Sequence, residues 1–276
     1  MKTSLEPVIA EPLFAPVRAE LIKVLSRLSD EQWEQPTVCT GWTVRDVALH
    51  LLGDDVGFLS GLRDRDGQRA ELNSLTEIIE FIDAQNDRWV KATRRMSRRL
   101  LISLLLFTGQ QCREFIASLD PYEMSGPIGW AGDQPDPQWL HIAREYTEHW
   151  MHHQHICEAA GIVSLKDAQF LNPVLNTFVH ALPYAYRNTT APDDSLVKLV
   201  ITGEGGGEWH LVREEDYWKL YATTDLKPIT TVTLDVDSAW RMFTKGIAAD
   251  TLRQQATIVG NKVLGEVALN AVAIMG

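Results

Sequence analysis

Apolar positions recur at helical spacing through the first 160 residues, and turn residues punctuate the pattern. Residues 13–28 form the first such stretch. A second helix is predicted from Thr43 through VRDVALHLLGDDVGFLSGL, with Asp46 three residues after Thr43 in the spacing of a capping box. Ser74 and Glu77 repeat that signature ahead of a third helix reaching Met96. Ser97 caps a fourth, which stops near Leu119 because Asp120-Pro121 follows. The Gly- and Pro-rich residues 122–135 read as loop. Asp136 is placed to cap a long helix with Pro137 in its first position; it runs to Ala160, and Gly161 supplies a left-handed C-cap.

The period then changes. Residues 167–187 predict one more helix, disturbed at Pro183. Residues 196–202 (LVKLVIT) alternate as a strand, residues 203–207 turn, and residues 209–213 return. Further strands are predicted over 217–222 and 229–236, then a short helix over 238–244 capped by Asp237. A last strand, 256–259, turns at Gly260-Asn261 into a closing helix over 262–275. The fold class expected is α plus α+β: a helical bundle over residues 1–165 and a small α+β domain over 166–276.

Composition narrows the function without naming it. The 276 residues are 45% hydrophobic and 23% charged, ordinary values for a globular protein. The longest apolar run, LLISLLLF at residues 100–107, falls far short of the ~20 residues of a membrane span. The opening MKTSLEPVIAEPLFAP has no apolar core followed by a small-residue cleavage site, so a cytoplasmic protein is expected, with no membrane partner. A net charge of −11 repels phosphate backbones and argues against nucleic acid. The basic cluster Arg94, Arg95, Arg98 and Arg99 reads as a solvated helix face. Cys39, Cys112 and Cys157 are widely spaced with no CxxC, and read as small buried residues rather than reactive groups.

The chemistry concentrates in HIAREYTEHWMHHQHI, which holds five of the eight histidines between His141 and His155. Residues four apart on a helix share a face, so Glu148 projects with His152, Glu145 with His149, and His149 with His153. Spacing alone does not choose among these pairs. On the helical wheel Trp139, Ala143, Tyr146, Trp150 and Cys157 form the main apolar face. Glu148 and His152 fall nearly opposite it, so a histidine-rich surface exposed to water is the competing expectation. His50, the only histidine before His141, offers a third ligand, and Asp46 and Asp54 one turn either side orient it or compete with it. Two histidines and a carboxylate with an open position are the make-up of catalytic zinc sites, and suit other divalent metals too. HExxH is absent, which argues against a standard metalloprotease.

Two motifs carry a family resemblance. TGWTVRDVALHLLG, residues 40–53, resembles the GWTVRDVxxHL motif of the mycothiol-dependent maleylpyruvate isomerase family, a branch of the DinB-like four-helix bundles. EHWMHHQHICEAAG, residues 148–161, is similar to that family's second motif. DSAWRMFTKG (residues 237–246) and GNKVLGEVALNAVAIM (residues 260–275) resemble its sterol-carrier-like C-terminal domain. The resemblance implies a divalent metal, usually zinc, held by His50, Glu148 and His152, and it implies mycothiol as thiol cosubstrate acting on a small electrophile. His155 stands where the family usually has aspartate, which implies a difference in substrate or metal affinity. The reaction implied is cis–trans isomerisation or thiol S-transfer. Weighed against it are a non-catalytic metal-binding accessory protein whose C-terminal domain binds a ligand, and a hydrolase using metal-activated water. Arg144, Arg241 and Arg253 are candidate anion donors by chemistry, each read first as a surface charge, and Trp42 and Trp150 are candidate cleft walls.

Overall fold

A computed structural model describes residues 1–66 and 75–273. The helices are α1 (Phe14–Leu25), α2 (Asp30–Trp33), α3 (Val44–Phe58), α4 (Leu75–Thr93), α5 (Arg98–Ala117), α6 (Gln138–Ala160), α7 (Ala168–Phe178), α8 (Ala181–Ala185), α9 (Val236–Phe243), α10 (Ala249–Gln255) and α11 (Lys262–Ala268). The strands are β1 (Leu196–Thr202), β2 (Gly207–Glu214), β3 (Tyr217–Tyr221), β4 (Pro228–Asp235) and β5 (Thr257–Gly260). Ser74, expected as a cap, and the residues from 274 onward, expected in the closing helix, lie outside the described residues. Two compact units result, each assembled from separated segments. One comprises Ile9–Pro121 and Ile142–Leu165; the other comprises Met1–Val8, Tyr122–His141 and Lys166–Met275.

In the helical unit, Leu21 and Leu25 of α1, six apolar residues between Val44 and Leu52 of α3, Leu101 and Leu105 of α5, and Ile156 and Cys157 of α6 share one core. Thr43 and Asp46 form the expected capping box, each side chain reaching the other's backbone N–H. Asp46 does more than cap. Arg94 Nε and Nη2 each donate to its carboxylate at 2.9 Å. Burial pushes the Asp46 carboxyl up, but Arg94 and the Thr43 backbone N–H outweigh it and hold it below the usual range. Its stabilisation is therefore complete above the unfolded value of about 3.9 and is lost as pH falls through the depressed folded value. Asp46→Asn should cost roughly 0.5–1 kcal/mol at pH 7, the lost charge opposite half-exposed and solvent-screened Arg94, since the amide oxygen can still accept from Thr43 N–H. The wild-type advantage in urea midpoint should shrink on acidification, and an advantage that grows towards pH 3 would refute the assignment.

Gly161 takes φ +68°, and Ile162 N–H returns to Cys157 O at 2.8 Å, the C-terminal closure expected for α6. Several expectations fail locally. The helix foreseen over 167–187 is two, because Pro183 cannot donate to Val179 O and its ring crowds that carbonyl. Asp235, not Asp237, caps α9, accepting from Ser238 N–H at 3.0 Å, while Asp237 pairs with Lys166 at 2.7 Å. Asp136 accepts from Ile128 N–H at 2.9 Å, and α6 begins at Gln138. The closing helix ends at Ala268, where Ala273 N–H instead reaches Phe243 O at 2.9 Å. Short helices α2 and α10 were not foreseen, since one or two turns leave too little apolar periodicity to read.

The second unit is built on a five-stranded sheet of order β3-β2-β1-β4-β5. β1 and β4 pair in parallel; every other pairing is antiparallel. Leu199 and Ile201 of β1, Trp209 and Leu211 of β2, and Val232 and Leu234 of β4 are buried, the alternation expected of strands with one face on a core. The overall architecture is thus a helical N-terminal region and a mixed-sheet C-terminal region, the fold class that the patterning predicted. No helix among the described residues is long and apolar enough to cross a membrane.

Candidate metal centre

His50 is positioned by the packing of α3. Val47, Ala48, Leu49 and Leu51 are fully buried, so the helix cannot rotate to expose the histidine. Trp89 of α4 donates its Nε1–H to Leu49 O at 2.7 Å and lies against Gly53, where a Cβ would come 2.6 Å from the indole Cδ1. Gly53 therefore admits the tryptophan one turn past His50. Trp42 lies obliquely against His50, with ring centroids 5.0 Å apart and planes at 46°.

Glu148 and His152 approach from α6. His152 Nε2 is 3.0 Å from Glu148 Oε1, and His50 Nε2 is 3.7 Å from the same oxygen. The His50 and His152 rings meet edge to face with centroids 4.6 Å apart. One ligand atom from each of the three residues lies within 4.8 Å of the other two. A tetrahedral ion with bonds of about 2.0–2.2 Å spaces its ligand atoms about 3.4 Å apart, between the two measured separations. The donor set of two imidazoles and one carboxylate also fits a divalent transition ion. The three side chains could hold one together.

The electrostatics match. Burial pushes His152 towards its neutral form despite Glu148. Burial alone would also depress His50, but Asp54 and Glu148 outweigh it and raise it. Glu148, although burial opposes its charge, is held well below the usual carboxylate range by His152 and His50. Asp54 is the neighbour whose role spacing left open: its Oδ2 stands 3.0 Å from His50 Nε2, and burial drives its carboxyl up to about 7. Asp46, the other candidate, is committed to Arg94.

The remaining pairs go elsewhere. Glu145 is 3.6 Å from His149, and His149 Nδ1 lies 3.5 Å from Arg18 Nη2, in a separate network where Arg18 grips buried Asp55 at 2.6 Å. His153 contacts Cys157 Sγ at 3.7 Å, and burial depresses it to about 4. The expectation that the face opposite the apolar stripe meets water fails for His152, which is 5% exposed. His149, His153, Gln154 and His155 are buried with it, so α6 is enclosed on nearly every side. A wheel ranks faces against each other and cannot say how many neighbours a helix has.

The model of the mycothiol maleylpyruvate isomerase N-terminal domain matches residues 14–157, more than half of the chain. The chain belongs to the mycothiol maleylpyruvate isomerase family. Two uncharacterised proteins of Mycobacterium tuberculosis, from strains CDC 1551 / Oshkosh and ATCC 25618 / H37Rv, are each 25% identical over 205 residues, covering 72% of this chain and 76% of their own. A crystal structure of a mutant mycothiol-dependent maleylpyruvate isomerase superposes with a TM-score of 0.51 at 10% identity, covering 86% of this chain and 88% of that one. At that identity the likeness speaks for the shared two-domain fold.

Within this family member, one neighbour of the triad escaped the reading of the sequence: Cys39, read as a small buried residue, whose Sγ stands 3.3 Å from His155 Nδ1. Nothing in the spacing of residues 39 and 155 marks that contact. Of the candidate anion donors, Arg253 pairs with Asp250 and Glu266 at 3.2 Å, Arg144 lies 3.7 Å from Glu145, and Arg241 stacks on Trp240 at 4.3 Å.

Proposed function

We propose that the chain is a mycothiol-dependent enzyme that joins the thiol to a small electrophile, with a divalent metal, zinc by its donor set, held by His50, Glu148 and His152. The observation that carries this reading is the meeting of His50 from α3 with Glu148 and His152 from α6, in a chain of this family. An ion bound there supplies Lewis acidity that holds a thiol as thiolate at neutral pH, where a free aliphatic thiol is mostly protonated.

The protein's own residues prepare that chemistry. Burial keeps the His152 imidazole neutral and therefore able to donate a lone pair. Glu148 stays anionic through its contacts with both histidines. Asp54 Oδ2 stands 3.0 Å from His50 Nε2, where it can orient the ring or join the ligand set. Trp42 covers one face of the His50 ring and keeps it oriented. Addition of sulfur to a conjugated double bond, rotation about the resulting single bond and elimination give an isomerase; retention of sulfur gives an S-transferase.

Maleylpyruvate is the first electrophile to assay. Turnover should require added mycothiol, and mass spectrometry of the product separates isomerisation from S-transfer by the added mass of the thiol. Equal turnover without any thiol would overturn the reading in favour of hydrolysis by activated water.

A further inference from the structure

His152 has a second nitrogen to account for. Its Nε2 faces Glu148 at 3.0 Å, while Nδ1 is buried and has no hydrogen-bond partner among the described residues. An unpaired polar atom in the interior costs free energy, so such an atom marks a place where something else binds. The His155 ring lies beside it, centroids 5.3 Å apart and planes at 78°. Cys39, in the turn leading into α3, directs Sγ to 3.3 Å from His155 Nδ1. That turn is tied down: Cys39 N–H donates to Thr37 Oγ1 at 3.2 Å and Cys39 O accepts from Trp42 N–H at 2.9 Å. One ligand atom from each of Cys39, His152 and His155 lies within 4.8 Å of the other two.

We propose that Cys39, His152 and His155 form a second metal site, a thiolate-bearing seat for a soft divalent transition ion of the zinc class, which shares His152 with the first triad. One sulfur and two imidazole nitrogens are a donor set that zinc takes, with a fourth position open. Bonds of about 2.3 Å to sulfur and 2.0–2.1 Å to nitrogen at a tetrahedral angle separate the two ligand atoms by about 3.5 Å, close to the measured approach of Cys39 to His155. Binding replaces the thiol proton, and filling both sites at once also removes the His152 ring N–H proton to leave a bridging imidazolate; both protons leave to solvent. A plain thiol–imidazole hydrogen bond is the rival account, and it leaves His152 Nδ1 unpaired. The proposal does not depend on the thiol chemistry above, and it stands or falls on metal binding alone.

Cobalt(II) titration of the full chain tests it, because a cobalt–thiolate bond adds a charge-transfer band in the near ultraviolet that nitrogen and oxygen ligands do not. The band is expected in the wild type, absent in Cys39→Ser and in His155→Ala, and retained in His50→Ala, which breaks only the first triad. Cys39→Ala serves as a second variant, and all are compared at matched far-ultraviolet circular dichroism. No band at saturating cobalt overturns the proposal, as does a band that survives both Cys39 variants. A band lost equally in His50→Ala also overturns it, since Cys39 would then belong to the first site.

Discussion

Replacing His152 with alanine should lower zinc affinity by more than ~100-fold while leaving the helix content unchanged. Loss even of an outer-shell partner costs 10–100-fold at metal sites, and His152 lies inside the candidate triad itself. The helix that carries it does not depend on it: Trp150, Ile156 and Cys157 of α6 are fully buried, and that packing holds α6 in place. Removing His152 takes a ligand from both proposed seats, whereas Glu148→Gln weakens only the first. Competition against a chromogenic chelator, together with metal analysis after dialysis, reads the result. Unchanged affinity in the His152 variant would remove it from any site.

Asp55→Ala should destabilise the fold by about 3–5 kcal/mol, the cost of stripping the partner from a buried charge. The Asp55 side chain is fully buried and joins three elements. It accepts from Arg18 Nη2 of α1 at 2.6 Å and from Thr108 Oγ1 of α5 at 2.5 Å, and Cys112 Sγ approaches at 3.7 Å. Arg18 is only 13% exposed, and its Nη1 has no partner among the described residues, so losing Asp55 leaves the guanidinium poorly paired. Urea denaturation gives the magnitude. Arg18→Met in the same background should recover part of the loss, because the unpaired cation is then gone. A single-variant cost below about 1 kcal/mol would show that the pair contributes little beyond its own desolvation.

Both predictions rest on side chains that the sequence exposes unequally. The grouping of His50 with Glu148 and His152 was open to the sequence because residues four apart on a helix share a face, and because the resemblance to the family's two motifs selects that pair from three; the structure brings the three side chains together. The Arg18–Asp55 pair was not reachable: 37 residues separate its partners, and nothing local distinguishes Asp55 from Asp54. The structure sends the first inward among α1 and α5 and the second towards His50. Adjacent residues on a helix point about 100° apart, so only the neighbouring helices decide which carboxylate meets a cation.

By itself the sequence determined the order and type of the long elements, the helical-then-mixed division of the chain, and the capping box at Thr43 and Asp46. Those features follow from local periodicity and from backbone groups that nearby side chains must satisfy. Tertiary structure alone decided the parallel pairing of β1 with β4, the burial of α6 on nearly all sides, and the approach of Cys39 to His155 across 116 residues. Each of these is a contact between segments remote in the chain, fixed by packing that no local pattern encodes.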